Sequence, residues 1–199
     1  EEERIREEVR IRFEDWQKTL SAKGINSRII IEVGEPVPNI LKISEKEKVN
    51  LIVVGKKKRF GHDGHLIGSH TLQIITRSKM PTLVSKYLVQ FEREGESVTR
   101  TNDAIFKRPL LATDWSGPSK RALELLISLK GLIEKAFVCH TIGVKIAKSI
   151  DKTELHRIEK ESKERLEKYC EQLKSAGISA EPHLGAGRTI MEIIRISRD

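Results

Sequence analysis

Apolar positions along this chain follow two rhythms, one helical and one extended. Phe13, Trp16 and Leu20 recur at three-to-four spacing, as do Leu166, Tyr169 and Leu173. That is the buried stripe of an amphipathic helix. It predicts long helices over 1–23 and 152–175. Short apolar runs predict strands at 25–33, 50–54, 82–85, 109–113, 135–141 and 178–184. Further helices are expected from Pro38 to about Lys48, over 69–79 (closed by Pro81), over 118–130 and over 188–197. Strands alternating with helices predict an α/β fold with a mostly parallel, doubly wound sheet covered on both faces.

The pattern is used twice. Gly24 matches Gly177, Ile25 matches Ile178, Gly34 matches Gly187 and Ser44 matches Ser197, all at one constant spacing. Phe13, Trp16 and Leu20 match Leu166, Tyr169 and Leu173 at that same spacing. A repeat this long implies a duplicated domain rather than a solenoid unit. The first copy shows no strand–helix–strand ahead of its long helix, and the second stops before a glycine loop. The expectation is two incomplete units from the middle of a longer tandem protein. Residues 1–87 would be the later part of one repeat, 88–107 a connector with little apolar periodicity, and 108–199 the earlier part of the next.

Composition narrows the class. The 199 residues are 38% hydrophobic, enough for a real core, and 33% charged. Lys+Arg 37 against Asp+Glu 29 gives a net charge of +8, which favours an anionic partner. Aromatics at 5% argue against a stacking platform for single-stranded nucleic acid. Cys139 and Cys170 lie far apart without CxxC spacing, so a reduced, cytoplasmic protein is expected. No apolar run approaches a membrane span, and no membrane partner is expected.

The chemistry concentrates in NLIVVGKKKRFGHDGHLIGS, from Asn50 to Ser69. A strand reaches Gly55, a polar glycine-bearing loop follows, and Gly68 and Ser69 open a helix. Loop amides and a helix N-terminus converging there make a phosphate cradle. In the second copy, PLLATDWSGPSKRALELL supplies a strand, an Asp114-bearing turn and a helix, and AFVCHTI supplies the next strand.

These stretches resemble the universal stress protein family over almost the whole chain apart from the connector. The loop is similar to that family's signature, Gly-x2-Gly-x9-Gly-Ser, with Gly55 first and Gly68 and Ser69 last. Lys58 stands where the signature has its second glycine. If that position needs a left-handed backbone, a side chain there costs roughly 1–2 kcal/mol, while its charge favours a phosphate. The resemblance implies an adenine nucleotide, ATP or AMP, bound at the strand carboxyl ends. Gly55, Gly68 and Ser69 would serve the phosphates, with Lys58 and His70 beside them. Asp114 and Thr141, with Thr113 adjacent, would serve the sugar and base. It also implies strand-mediated self-association, between repeats and between chains, with Thr82–Ser85 as an edge strand. No metal is implied beyond a nucleotide-associated Mg, and no catalytic residue. Any ATP hydrolysis would be slow and incidental. The competing reading is an interaction module that binds no nucleotide.

Other patterns carry less. The basic run Lys56–Arg59 reads as a solvated loop rather than a nucleic-acid patch. His62, Asp63, His65 and His70 lack the rigid scaffold of a metal site. Gly185 and Gly187 read as a strand-to-helix turn, because Ile190 occupies the third position of a dinucleotide fingerprint. Asp114 has a structural role open to it as well, capping the next helix or shaping its turn. Cys139 reads as core and His140 as packed. Trp16 and Tyr169 are both expected in the core.

Overall fold

The computed structural model describes residues 2–57, 68–92, 95–100 and 104–198. Two compact units emerge, Glu1–Arg100 and Thr101–Asp199.

In the first unit, α1 (Glu2–Ala22) leads into an extended segment, then α2 (Pro36–Lys46), β1 (Ile52–Lys57), α3 (Ser69–Arg77), β2 (Thr82–Glu92) and β3 (Gly95–Arg100). β1 and β2 run parallel, with Ile52 opposite Thr82 and Gly55 opposite Ser85. β2 then pairs antiparallel with β3 from Leu88 onward. The core is small: Val37, Ile52 and Ile74, with Ile40, Leu41, Val49, Val54 and Met80 against them.

Several sequence expectations shift here. β1 runs through Gly55 to Lys57 instead of stopping at the glycine. Thr82–Ser85 is only the beginning of an eleven-residue strand, and part of the expected connector is strand. Residues 25–33 are extended but pair with no strand among the described residues, because an apolar run becomes a ladder only when a neighbour supplies the bonds. Trp16 is 68% exposed instead of core, since nothing among the described residues covers its side of α1.

The second unit is β4 (Leu110–Ala112), α4 (Gly117–Ser128), a short 3-10 turn, β5 (Lys135–Gly143), α5 (Val144–Ser149), α6 (Lys152–Ser175), β6 (Ser179–Gly187) and α7 (Thr189–Ile196). The sheet order is β4-β5-β6, all parallel. Asp151 caps α6 by accepting from the Glu154 N–H at 2.8 Å. The α6 stripe of Leu166, Tyr169, Cys170 and Leu173 presses on Leu111, Ala136 and Val138 of the sheet and Leu123 of α4. Each such side chain, fully buried, contributes about 1.5–3 kcal/mol. Gly177 ends the helix at φ +88°, and Ile178 N–H returns to the Leu173 carbonyl at 2.9 Å. The same turn closes α1, with Gly24 at φ +75° and Ile25 N–H on the Leu20 carbonyl at 2.9 Å. Left-handed glycine at this place is what a helix stop requires. β5 runs two residues beyond its expected end, and α5 was not legible as a separate helix.

Leu173 is fully buried and its counterpart Leu20 is 36% exposed. Leu173→Ala should therefore cost about 2–5 kcal/mol in urea unfolding of the second unit. Leu20→Ala should cost well under half of that; equal losses would contradict the burial assigned to the two helices.

Candidate functional site

The carboxyl ends of β4 and β5 are set side by side by register. Leu110, Leu111 and Ala112 face Phe137, Val138 and Cys139. Two further bonds carry the pairing past the strand: Thr113 N–H donates to the Cys139 carbonyl at 2.8 Å, and His140 Nδ1 lies 2.8 Å from the Thr113 carbonyl. Continued by two residues, this register brings Asp114 level with Thr141.

The turn after β4 is organised by Asp114. Its Oδ1 accepts from the Ser116 N–H at 3.0 Å and from the Ser119 hydroxyl at 2.6 Å. Ser116, not Asp114, is the N-cap of α4, accepting from the Ser119 N–H. Hydrogen bonding by Ser116, then by Ser119, holds the Asp114 carboxyl well below the usual carboxylate range. The group is exposed and ionised.

Trp115 follows in a left-handed conformation, φ +67°, uncommon for a bulky residue. Its N–H reaches the Thr113 hydroxyl at 3.0 Å. Its ring lies 4.6 Å from His140 and edge-on to Tyr169 at 5.5 Å, with the Arg165 guanidinium 5.8 Å away. These contacts hold the ring over the α4–α6 side of the sheet. Thr141 lies within β5, not beyond it, in register with Gly185. Its Oγ1 is buried and unpartnered among the described residues. A buried hydroxyl without a partner is costly and marks a place where a ligand or water belongs.

Phosphate-side candidates fall on the first unit. Gly55 is inside β1 and faces Ser85. Gly68 is the N-cap of α3, with no side-chain cap, and Ser69 and His70 begin the helix, all three exposed. A Cβ on Gly68 would meet nothing within 4 Å, so open space adjoins this helix terminus. The first turn carries no acidic residue, so its amides and the helix dipole are left to favour an anion. Lys58, His62, Asp63 and His65 lie outside the described residues. Among the described residues no cluster of three or more metal-ligating side chains forms, and no helix is long and apolar enough to cross a membrane. Both cysteines are buried and free, and burial raises the Cys139 thiol pKa.

Sequence reasoning missed Ser116, Ser119 and Trp115. The run Ser116-Gly117-Pro118-Ser119 did hold a signal, a serine cap just ahead of a proline in the first helical turn. Nothing in the sequence marks Trp115 as left-handed.

Residues 1–86 match the family model described as Universal stress protein family. Universal stress protein MJ0577 of Methanocaldococcus jannaschii is 35% identical over 83 residues, 42% of this chain and 51% of that protein. The first unit belongs to the universal stress protein family. The chain spans about half the length of that curated relative. A universal stress protein structure from Archaeoglobus fulgidus covers 98% of this chain and 64% of its own, with a TM-score of 0.67 at 22% identity. At that identity the likeness concerns the fold, and it extends the universal-stress architecture across both units.

The low pKa of Asp114 has a direct readout. A depressed carboxylate contributes stability above its unfolded value, near 4, and loses it as pH falls through the folded value. The Asp114 side-chain carbon resonance should remain that of a carboxylate at pH 3, where an ordinary aspartate is mostly protonated. Titration with a midpoint near 4 would contradict the hydrogen-bonded turn.

Proposed function

We propose that this chain is an adenine-nucleotide-binding universal stress protein, taking ATP or AMP at strand carboxyl ends and acting as a ligand-responsive regulatory module. One observation supports this most strongly: an ionised Asp114 carboxylate and a buried Thr141 hydroxyl, unpartnered among the described residues, fall at the ends of two adjacent parallel strands. Such strand ends are where open α/β sheets take ligands. An ionised carboxylate is acceptor-only and suits the hydroxyls of a ribose, while Thr141 can both donate and accept toward a base. Separately, within the first unit, the uncapped N-terminus of α3 behind Gly68 favours an anion.

Binding shifts the population toward whichever conformation holds the ligand better, and no turnover is required for that. The described residues offer no general base beside an activated nucleophile. Self-association through strand edges, and a cytoplasmic setting, belong to the same reading.

Differential scanning of the chain with ATP or AMP tests it. Ligand at a hundredfold excess over Kd adds about 2.7 kcal/mol to the binding state, read as a saturable rise of several degrees. Asp114→Ala should weaken binding about tenfold or more, the loss of one charge-assisted hydrogen bond. A flat response at millimolar nucleotide would favour the interaction module instead. Affinity for nucleic acid falling steeply with salt would favour a third class of partner. Lys58→Gly separates two effects: tighter binding if backbone strain dominates, weaker binding if the lysine charge does.

A further inference from the structure

Trp115 holds a backbone conformation that its side chain disfavours. At φ +67° it is left-handed, and among the described residues Lys48 is the other non-glycine residue with positive φ. Tight turns give such a position to glycine or asparagine, because a Cβ there crowds the following carbonyl. A bulky residue persists in it only when its surroundings hold it. Every backbone amide from Thr113 to Ser116 is satisfied within the second unit. Thr113 N–H donates to the Cys139 carbonyl at 2.8 Å, and Asp114 N–H to Ser119 Oγ at 3.3 Å. Trp115 N–H donates to Thr113 Oγ1 at 3.0 Å, and Ser116 N–H to Asp114 Oδ1 at 3.0 Å.

The last of these bonds closes a turn through the Asp114 side chain, and its direction is set by the peptide between Trp115 and Ser116. The left-handed backbone at Trp115 is thus part of what brings the Ser116 amide onto the carboxylate. The indole itself is held by two elements. β5 supplies His140, whose ring centroid is 4.6 Å away at a 35° tilt, and whose Nδ1 is fixed 2.8 Å from the Thr113 carbonyl. α6 supplies Tyr169, edge-on at 5.5 Å, and Arg165, whose guanidinium lies 5.8 Å from the ring. Arg165 and Tyr169 are four residues apart and share one helix face. Ring packing and the cation's attraction to the indole face favour the conformation that the backbone resists.

We propose that Trp115 is a positioning residue for Asp114: its indole, held by β5 and α6, keeps the left-handed turn that directs the Ser116 amide onto the Asp114 carboxylate. What the carboxylate then does for a ligand rests on the nucleotide reading; the hold on the turn does not. If Trp115 only fills space, its removal costs stability and leaves Asp114 as it was. If it positions, glycine should replace it as far as Asp114 is concerned, because glycine takes a left-handed backbone without a steric penalty. Alanine should not, because it keeps the penalty and loses the ring contacts.

The test follows the Asp114 carboxyl carbon by NMR in the full chain as pH is lowered from about 6 to 2, without ligand. Wild type and Trp115→Phe should still show a carboxylate at pH 3. Trp115→Ala should titrate with a midpoint near 4, as an ordinary aspartate does, and Trp115→Gly should return to the wild-type curve. The proposal is overturned if Asp114 in Trp115→Ala stays as in wild type, or if Trp115→Gly shifts as far as Trp115→Ala. Should Trp115→Ala fail to fold, His140→Gln makes the same comparison by removing the ring beside the indole. Asp114 should then move toward the ordinary midpoint and return when Trp115→Gly is added; an unmoved Asp114 overturns the proposal. Calorimetric titration with AMP adds a separate arm. Trp115→Ala should weaken binding about tenfold and Trp115→Gly should recover most of it. A wild-type chain that takes no AMP while the pH series holds would end the nucleotide reading and leave the role of Trp115 standing.

Discussion

Everything chemical in the second unit hangs on the parallel pairing of β4 with β5. Three residues of β4 are enough, because the Thr113 backbone extends the contact by bonding to Cys139 and His140. Continued past the strand, that register brings Asp114 level with Thr141. It also anchors Trp115, whose left-handed backbone costs of order 1–3 kcal/mol. Two ring contacts at about 0.5–1.5 kcal/mol each, and the N–H bond to Thr113, offset a strain of that size. A slip of β4 by one residue would exchange the faces of Leu111 and Ala112 and lose both the core and that alignment together.

The electrostatics of the two units differ in sign at their candidate residues. In the second unit, hydrogen bonds from the Ser116 amide and the Ser119 hydroxyl keep Asp114 ionised, so the turn attracts donors. In the first, α3 begins at an uncapped glycine with no acidic residue in its opening turn, so the terminus attracts an anion.

Much of the architecture was legible because periodicity and punctuation agreed. The stripe of Leu166, Tyr169 and Leu173 pointed to one helix over 152–175, which the structure has over Lys152–Ser175. Legibility failed where a partner decides the outcome. Residues 25–33 are as apolar as a buried strand, and Trp16 sits on the same helical stripe as Tyr169, yet neither is covered. Local pattern specifies which face wants burial, not whether a neighbour is there to bury it. The β2–β3 pairing went unseen because its residues alternate weakly. Of the candidate site, Asp114 and Thr141 were expected from the family resemblance. The serines that orient Asp114 follow from capping rules, and the conformation of Trp115 follows only from packing.

The most direct measurement of the central claim is an amide-resolved NMR titration of the chain with AMP or ATP. The account predicts saturable shifts at Asp114, Trp115, Thr141 and Gly143, at and just past the carboxyl ends of β4 and β5. Resonances that stay put at millimolar nucleotide, or shifts confined to residues away from those strand ends, would contradict it.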